Sequence, residues 1–500
     1  MRFKNYYSRL AMLCIGLAYA TFSQAQFLDS MQATAGMKYR FSSKSYLPFW
    51  LVSNQHGTVA DRSGDLSPFF RVSNKNVIAQ HEYQDERGLY NYRDLSVSYG
   101  VSVYNNNRFK STMLEEGYVK LEYCNWSLRA GRFEESLADI DPVLSSGSLG
   151  ISGNALPIPK IGIAVTDYTN LPFTNGWIQF KGTFAHGWLG SNRYIKNSYY
   201  HEKTLFMRIG RGHLKFYAGV EHFAEWGGDR GNRHYDRSAQ AFRDVLFIKG
   251  ADDNNSEARA GVHRGDHRGT MDGGLYWENE GAEIHAYLQK PFEGKEDISL
   301  KNKNMLAGVM VSLKNKDRGL QKILAEVIST TTINYHVTAI KRESYYNNSV
   351  YRTGWEYEDN VIGTPLFTDR IRGNKYFPGI RPFDWNAADS AIPGNSNIIN
   401  NRVFAIHVGA SYSVSDDIGG RTLLTYSRNY GDLNYSPEFN PGKTQFYGLQ
   451  EIYYGIPRLN LTITAGLGLD CGELTKGPLI GGLLGIEWNI IRHINRNNAD

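Results

Sequence analysis

Two segments of this 500-residue sequence concentrate the side chains that could do chemistry. Residues 332 to 402 carry Arg342, Tyr346, Trp355, Arg370, Arg372 and Trp385, with Tyr345, Tyr351, Arg352, Tyr357, Tyr376 and Arg381 among many Asn and Gly. Residues 223 to 270 add Trp226 and Arg230, then Arg233, His234, Tyr235 and Arg237. Such a mixture suits saccharides. An aromatic ring packs on the apolar face of a pyranose, Asn amides and guanidinium forks satisfy hydroxyls, and Arg pairs bidentately with a uronic carboxylate or a phosphate. Trp226, Arg230, Arg342, Tyr346, Trp355, Arg370, Arg372 and Trp385 are therefore the candidate contacts. Against each residue taken singly stands the plainer reading, a solvated loop charge or an interfacial aromatic.

Other chemistries fit less well. Asp252-Asp253-Asn254-Asn255 could hold Ca²⁺, and His263, Asp266 and His267 a transition metal, but both spacings match poorly and solvated loop charge is the better reading. His407 and Ser411 share a strand face as a base and nucleophile would, yet four residues along a strand is about 13 Å, too far for a direct hydrogen bond. G-x-S-x-G, H-E-x-x-H and P-loop patterns are absent. The expectation is a binding protein, not an enzyme, with no cofactor and no metal.

The elements that must carry these loops alternate with period 2. From Leu459 to Asp470, Leu459, Leu461, Ile463, Ala465, Leu467 and Leu469 fall on one face and Asn460, Thr462, Thr464, Gly466, Gly468 and Asp470 on the other. Leu95 to Val103, Leu214 to Val220 and Ala282 to Leu288 repeat the pattern. These are strands of about nine to eleven residues, wet on one side, the length that crosses a bilayer at a tilt. Composition agrees: 51 Gly, 33 Tyr and 13% aromatic residues favour strands and turns over helices. A net charge of +5 leaves no footprint for nucleic acid.

Export is written at the N-terminus. Arg2, Lys4 and Arg9 precede the apolar Leu10 to Phe22, and Ser23-Gln24-Ala25 is a small-x-Ala cleavage site, so residues 1–25 read as a signal peptide. Beyond Gln26 no run of eighteen apolar residues follows, which leaves periplasm, secretion or an outer-membrane barrel. Connector lengths choose the barrel. Working back from the C-terminus, links at 470–478, 430–444, 332–402, 291–304 and 223–270 are long or medium, and those at Ile456-Pro457, 415–420, 315–320, Glu280-Gly281 and Arg211-Gly212 are short. Strict alternation of tight turns with long loops is the habit of outer-membrane barrels.

The fold expected is thus all-β, a transmembrane antiparallel outer-membrane β-barrel over 26–491 followed by a polar tail at 492–500. Shorter candidate strands at 33–41, 48–55, 66–73 and 76–83 put the count at 18 to 20. Trp177, Trp188, Tyr453, Tyr454 and Trp488 suit interfacial girdles, although each could equally pack in the lumen. Only Cys124 and Cys471 remain after the signal, and their pairing is open. The expected surroundings are outer-membrane lipid; oligomeric state is open.

Four motifs in order carry a resemblance: Ser146-Gly147-Ser148-Leu149 followed by Asn154-Ala155-Leu156-Pro157-Ile158-Pro159-Lys160-Ile161, HEKTLFMRIG at 201–210, GVEHFAEWGG at 219–228, and YYNNSVYRTGWEYEDNVIGTPLF at 345–367. Together the chain resembles the Wzi family of capsule-assembly outer-membrane proteins, in its Bacteroidetes-like form. The resemblance implies an occluded 18-stranded barrel that holds capsular or exopolysaccharide at the cell surface without turning it over; a diffusion porin is the alternative, and a barrel hydrolase a more distant one. Better-known members of the family plug the periplasmic end with helices. Here strand-like sequence begins soon after Gln26, so a plug must come from internal segments such as 133–160.

Overall fold

The computed structural model describes residues 30–84, 90–249, 264–294, 298–314, 317–332, 344–392, 396–433 and 437–491. The signal segment, the 492–500 tail, residues 252–255, His263 and Arg342 lie outside these.

Eighteen strands form one closed antiparallel sheet. In chain order they are β1 (Gln32–Ser42), β2 (Asp65–Gln84), β3 (Tyr90–Asn106), β4 (Ser111–Tyr123), β5 (Trp126–Arg132), β6 (Lys160–Asn170), β7 (Ile178–Trp188), β8 (Tyr199–Ile209), β9 (Leu214–Trp226), β10 (Asp266–Glu278), β11 (Ala282–Phe292), β12 (Met305–Leu313), β13 (Gly319–Ser329), β14 (Val403–Ser415), β15 (Ile418–Asn429), β16 (Lys443–Ile456), β17 (Leu461–Gly472) and β18 (Leu479–Ile491). Each pairs with its sequence neighbours, and β18 pairs with β1 from Ala33↔Ile491 to Ser42↔Gly481. Closure removes the sheet edges that lipid could not satisfy.

The alternating sequence gives each strand two different faces. Leu214, Phe216 and Val220 on β9 and Ile463, Leu467 and Leu469 on β17 point outward and are exposed, whereas Tyr217, Glu221 and His285 point into the lumen and are buried. Trp177, Trp188, Tyr454 and Trp488 are exposed on the outside as girdle residues should be. Tyr453 belongs to the lumen, where its Oη donates to Glu451 at 2.9 Å.

Three of the four short strand expectations are corrected. Residues 48–55 form no strand: Pro48 leads into the 3-10 turn Phe49–Leu51, whose three side chains are buried inside the barrel. Segments 66–73 and 76–83 are one 20-residue strand, β2, and a register shift between Val77 and Ala79 accounts for the broken alternation.

Connectors sort by end. The links at 124–125, 171–177, 210–213, 279–281, 416–417 and 457–460 share one end; those at 43–64, 133–159, 189–198, 227–265 and 330–402 share the other, which is the extracellular one. The exception is 107–110, a tight turn at the long-loop end with Asn107, Arg108 and Phe109 all at positive φ.

Barrels of 16–18 strands ordinarily leave a water-filled channel. Here three segments fold back from the extracellular end and block it: 43–64, 133–159 and 344–369. Leu47, Trp50, Leu144, Leu149, Trp355 and Phe367 join the lumenal wall residues Phe206, Phe223 and Leu324 in one apolar cluster. The sequence SSGSLGISGN at 145–154 explains how chain without regular structure survives there. Ser145, Ser148 and Ser152 each accept, through Oγ, the backbone N–H two residues on, at 3.0, 3.0 and 3.2 Å. The wall supplies the rest. Glu326 on β13 accepts from Ser145 Oγ (2.7 Å), Ser146 N (2.8 Å) and Ser146 Oγ (2.5 Å).

Candidate functional site

At the extracellular end the apex is built from three loops. The short hairpin Gly228–Arg230 with Arg233–Tyr235 and the 189–198 link, joined through Lys196↔Asp229, meet residues 377–392 of the long loop. Arg230 is the rivet. Its Nε donates to Asp389 Oδ1 (2.8 Å), its two terminal nitrogens donate to the carbonyls of Trp385 and Ala387 (2.7 Å each), and its guanidinium lies 4.3 Å over the Tyr194 ring. Arg352 covers the same ring at 5.1 Å, and Tyr194 Oη donates to Asp389 at 3.2 Å. Trp385 packs edge-on against Tyr194 and Phe383. Arg370 stacks 4.2 Å over Phe383 while its Nε donates to Ser396 O at 2.9 Å. Around this cluster Arg233, Arg237, Arg381, Asp384 and Asn386 are exposed.

Two carboxylates at the apex are held charged. Asp229 sits below its ordinary value because His234 and Arg237 hydrogen-bond it, and Asp389 because Arg230 does. The surface therefore presents the exposed guanidinium groups of Arg233, Arg237 and Arg381 and the Asn386 amide beside the half-buried Phe383 ring, with Tyr194 and Trp385 buried (7% exposed each), a set that suits hydroxyls and acidic groups together.

The other predicted contacts lie deeper. Trp355 is 1% exposed, with Nε1 donating to Gly150 O (2.8 Å) and the Arg268 guanidinium 4.7 Å over its ring, so no saccharide reaches its face in this conformation. Tyr346 is likewise buried, donating from Oη to Leu149 O at 2.7 Å and accepting from Thr364 N at 3.1 Å. The fit is close enough that a Cβ on Gly363 would come within 1.9 Å of that hydroxyl. Arg372 opens the helix α1 (Arg370–Tyr376) and ties it to 43–64 through Asp61 (2.5 Å) and Leu47 O (3.2 Å). Trp226 is not a loop residue: β9 continues through it, and its side chain is buried against Tyr199 and Phe242. Of the eight candidates, then, Arg230, Arg370 and Trp385 meet at the apex, Tyr346, Trp355 and Arg372 hold the plug beneath it, Trp226 stands apart and Arg342 is undescribed. Tyr194, Phe383 and Asp389 were missed. Tyr194 sits in a link too short to attract notice, and Phe383 and Asp389 lack the Arg/Trp signature that selected their neighbours.

The remaining sequence candidates resolve differently. His407 spends both ring nitrogens on structure, Nδ1 with Thr425 Oγ1 and Nε2 with Leu144 O at 2.7 Å each, so it bridges wall and plug and leaves no lone pair for Ser411. Asp266 pairs with Arg268, and His267 contacts His222 at 3.0 Å; among the described residues no group of three or more ligating side chains is placed to hold a metal ion. Cys124, in a periplasmic turn, and Cys471, near the extracellular end of β17, are free and exposed at opposite ends of the barrel.

Taken together, a closed 18-stranded cylinder with an internal plug and a cationic apex defines an outer-membrane β-barrel whose lumen is occluded from outside. The family model of the capsule assembly protein Wzi matches residues 52–375, and the chain belongs to that family. It is similar in structure to Wzi of Escherichia coli, an outer-membrane protein involved in group 1 capsule assembly and described as a carbohydrate-binding β-barrel, with a TM-score of 0.54 at 10% identity over 96% of this chain and 92% of that one. Acinetobacter baumannii OccAB2 (TM-score 0.45, 12% identity, 93% and 98% covered) and Pseudomonas aeruginosa OccK3 (0.45, 9%, 93% and 97%) are further similar structures. No curated protein matches in sequence. The protein resides in the outer membrane.

Proposed function

We propose that this barrel binds capsular or exopolysaccharide at its extracellular apex and holds it on the cell surface. The observation that carries the reading is the Arg230–Tyr194–Trp385–Asp389 cluster: it gathers six arginines and three aromatic rings from separate loops onto the outward end of a barrel whose lumen is blocked. In this reading the exposed Arg233, Arg237 and Arg381 and the half-buried Arg230 and Arg370 meet the ligand, while Trp385, 7% exposed, backs them. Tyr346, Trp355 and Arg372 support it by fixing the long loop to the plug. The site binds and does not turn its ligand over. Residues 1–25 direct export, and lipid covers the apolar outer face. A plug built from 43–64, 133–159 and 344–369 argues against a free diffusion pore.

The test uses purified protein and purified capsular polysaccharide from a capsulated host. Replacing Arg230, Arg370 and Trp385 together with Ala should weaken retention on immobilised glycan at least tenfold, with heat-modifiable migration of the barrel unchanged. Equal retention would remove the apex from the reading.

A further inference from the structure

We infer that the lumen beneath the plug contains a second saccharide site, open to the periplasm and shaped for an acidic glycan segment. The inference rests on the carbohydrate-binding reading above but uses none of the apex residues. Below the plug the wall of β4–β8 turns Lys120, Arg129, Lys181 and Arg208 inward, interleaved with threonines. A cavity of about 240 Å³ is lined by the first three of these cations together with Thr166, Thr183 and Ser136. A second, of about 420 Å³, shares Glu134, Glu135 and Ser136 with it and extends to Asn54, to Asp141, which pairs with Lys322, and to Arg421, which pairs with Glu451. The second lies within the roughly 300–1,000 Å³ of cavities that hold small ligands, and the first extends it.

Several of these groups lack the partners that buried charge requires. Arg129 is 7% exposed; one terminal nitrogen faces Glu135 at 3.3 Å, and its Nε has no hydrogen-bond partner among the described residues. Lys120 lies over the Tyr118 ring (4.3 Å) with no carboxylate in ion-pair range among the described residues. Among the described residues Arg208 bonds only the Gln179 amide oxygen (2.9 Å), and it stacks 4.0 Å over Tyr168 and 5.8 Å from Tyr276, both half-buried with a face toward the lumen.

The plug itself shows what this wall accepts. The Asp139 carboxylate is gripped by Lys181 and by Tyr168 Oη (2.7 Å) on the same aromatic floor, as a uronic carboxylate would be. Glu134 and Glu135 also line the smaller cavity, so the anion-binding character rests on Lys120 and Arg208, which have no carboxylate in ion-pair range among the described residues; with the hydroxyl lining and ring faces they favour an acidic sugar over a bare anion. Access is from below, where Ser136, Lys75 (58% exposed) and Lys322 (44%) face open space.

The test titrates the full-length protein in detergent with tetragalacturonate, with maltotetraose and inorganic phosphate as comparisons. Tetragalacturonate should bind at least tenfold more tightly than either. Lys120→Gln with Arg208→Gln should abolish that preference, and so should Ser136→Tyr, which fills the cavity from an exposed position and does not disturb the wall. The apex triple variant should keep it. Unchanged binding in both lumen variants, phosphate binding as tightly as the sugar, or loss of binding in the apex variant would each overturn the second site. Capsule retention by whole cells reports on the apex separately.

Discussion

At the scale of single residues, the apex owes its shape to charge-assisted hydrogen bonds that persist over a wide pH range. Asp229 and Asp389 have carboxyl values below the ordinary 3.8, through His234 and Arg230 respectively. A depressed carboxyl favours the folded, charged form; its contribution is present above the unfolded value and is lost as pH falls through the lowered one. Protease cleavage within 381–389 should therefore be constant from about pH 8 to about pH 5 and rise only below about pH 3.8. A rise near pH 6 would mean the two pairs do not hold the loop. Beneath them Trp355 carries packing. Trp355→Ala leaves a cavity costing about 3–5 kcal/mol, and should convert a silent barrel into one with measurable single-channel steps in planar bilayers. The residue types at 345–367 suggested saccharide contact, but burial cannot be read from type, and Tyr346 and Trp355 lie in the core. Tyr346 and Trp355 look like Trp385 in the sequence, and only the positive φ of Gly354 and its crowded site, where a Cβ would stand 2.2 Å from Tyr346 O, reveal that this stretch is folded tightly inward.

At the scale of elements, period 2 made the strands legible because one face of each is exposed on the outside of the barrel and the other meets a packed lumen. The reading failed where that contrast fails. Residues 48–55 are apolar like a strand, yet Pro48 and the 3-10 turn place all of Phe49, Trp50 and Leu51 in the core. An internal plug around 133–160 was reached only through the family resemblance, and its partners on the wall were not legible, since Glu326 is one of many lumenal carboxylates. Glu326→Ala should free the 145–146 backbone and hydroxyls at about 1.5–3 kcal/mol for each bond to the charged group. Hydrogen exchange at Ser146 and Gly147 should rise while that of β12–β14 stays protected. Equal protection in the variant would mean that apolar packing alone seats the segment.

For the whole molecule, the sorting of connectors by end gave the topology, and the native cysteines offer a check on it. Cys124 lies in a turn at the periplasmic end and Cys471 near the extracellular one. A membrane-impermeant maleimide on intact cells should label a Cys introduced by Asp384→Cys at the apex and leave Cys124 untouched until the outer membrane is opened. The reverse would invert the barrel. The central claim, that the apex keeps exported polysaccharide on the cell, is tested most directly in a capsulated host whose own copy has been replaced by the Arg230→Ala/Arg370→Ala/Trp385→Ala variant, expressed at wild-type level. Cell-bound and shed polysaccharide are then measured. Total polysaccharide should be unchanged and most of it should move to the medium; retention equal to wild type would mean that the apex does not hold it.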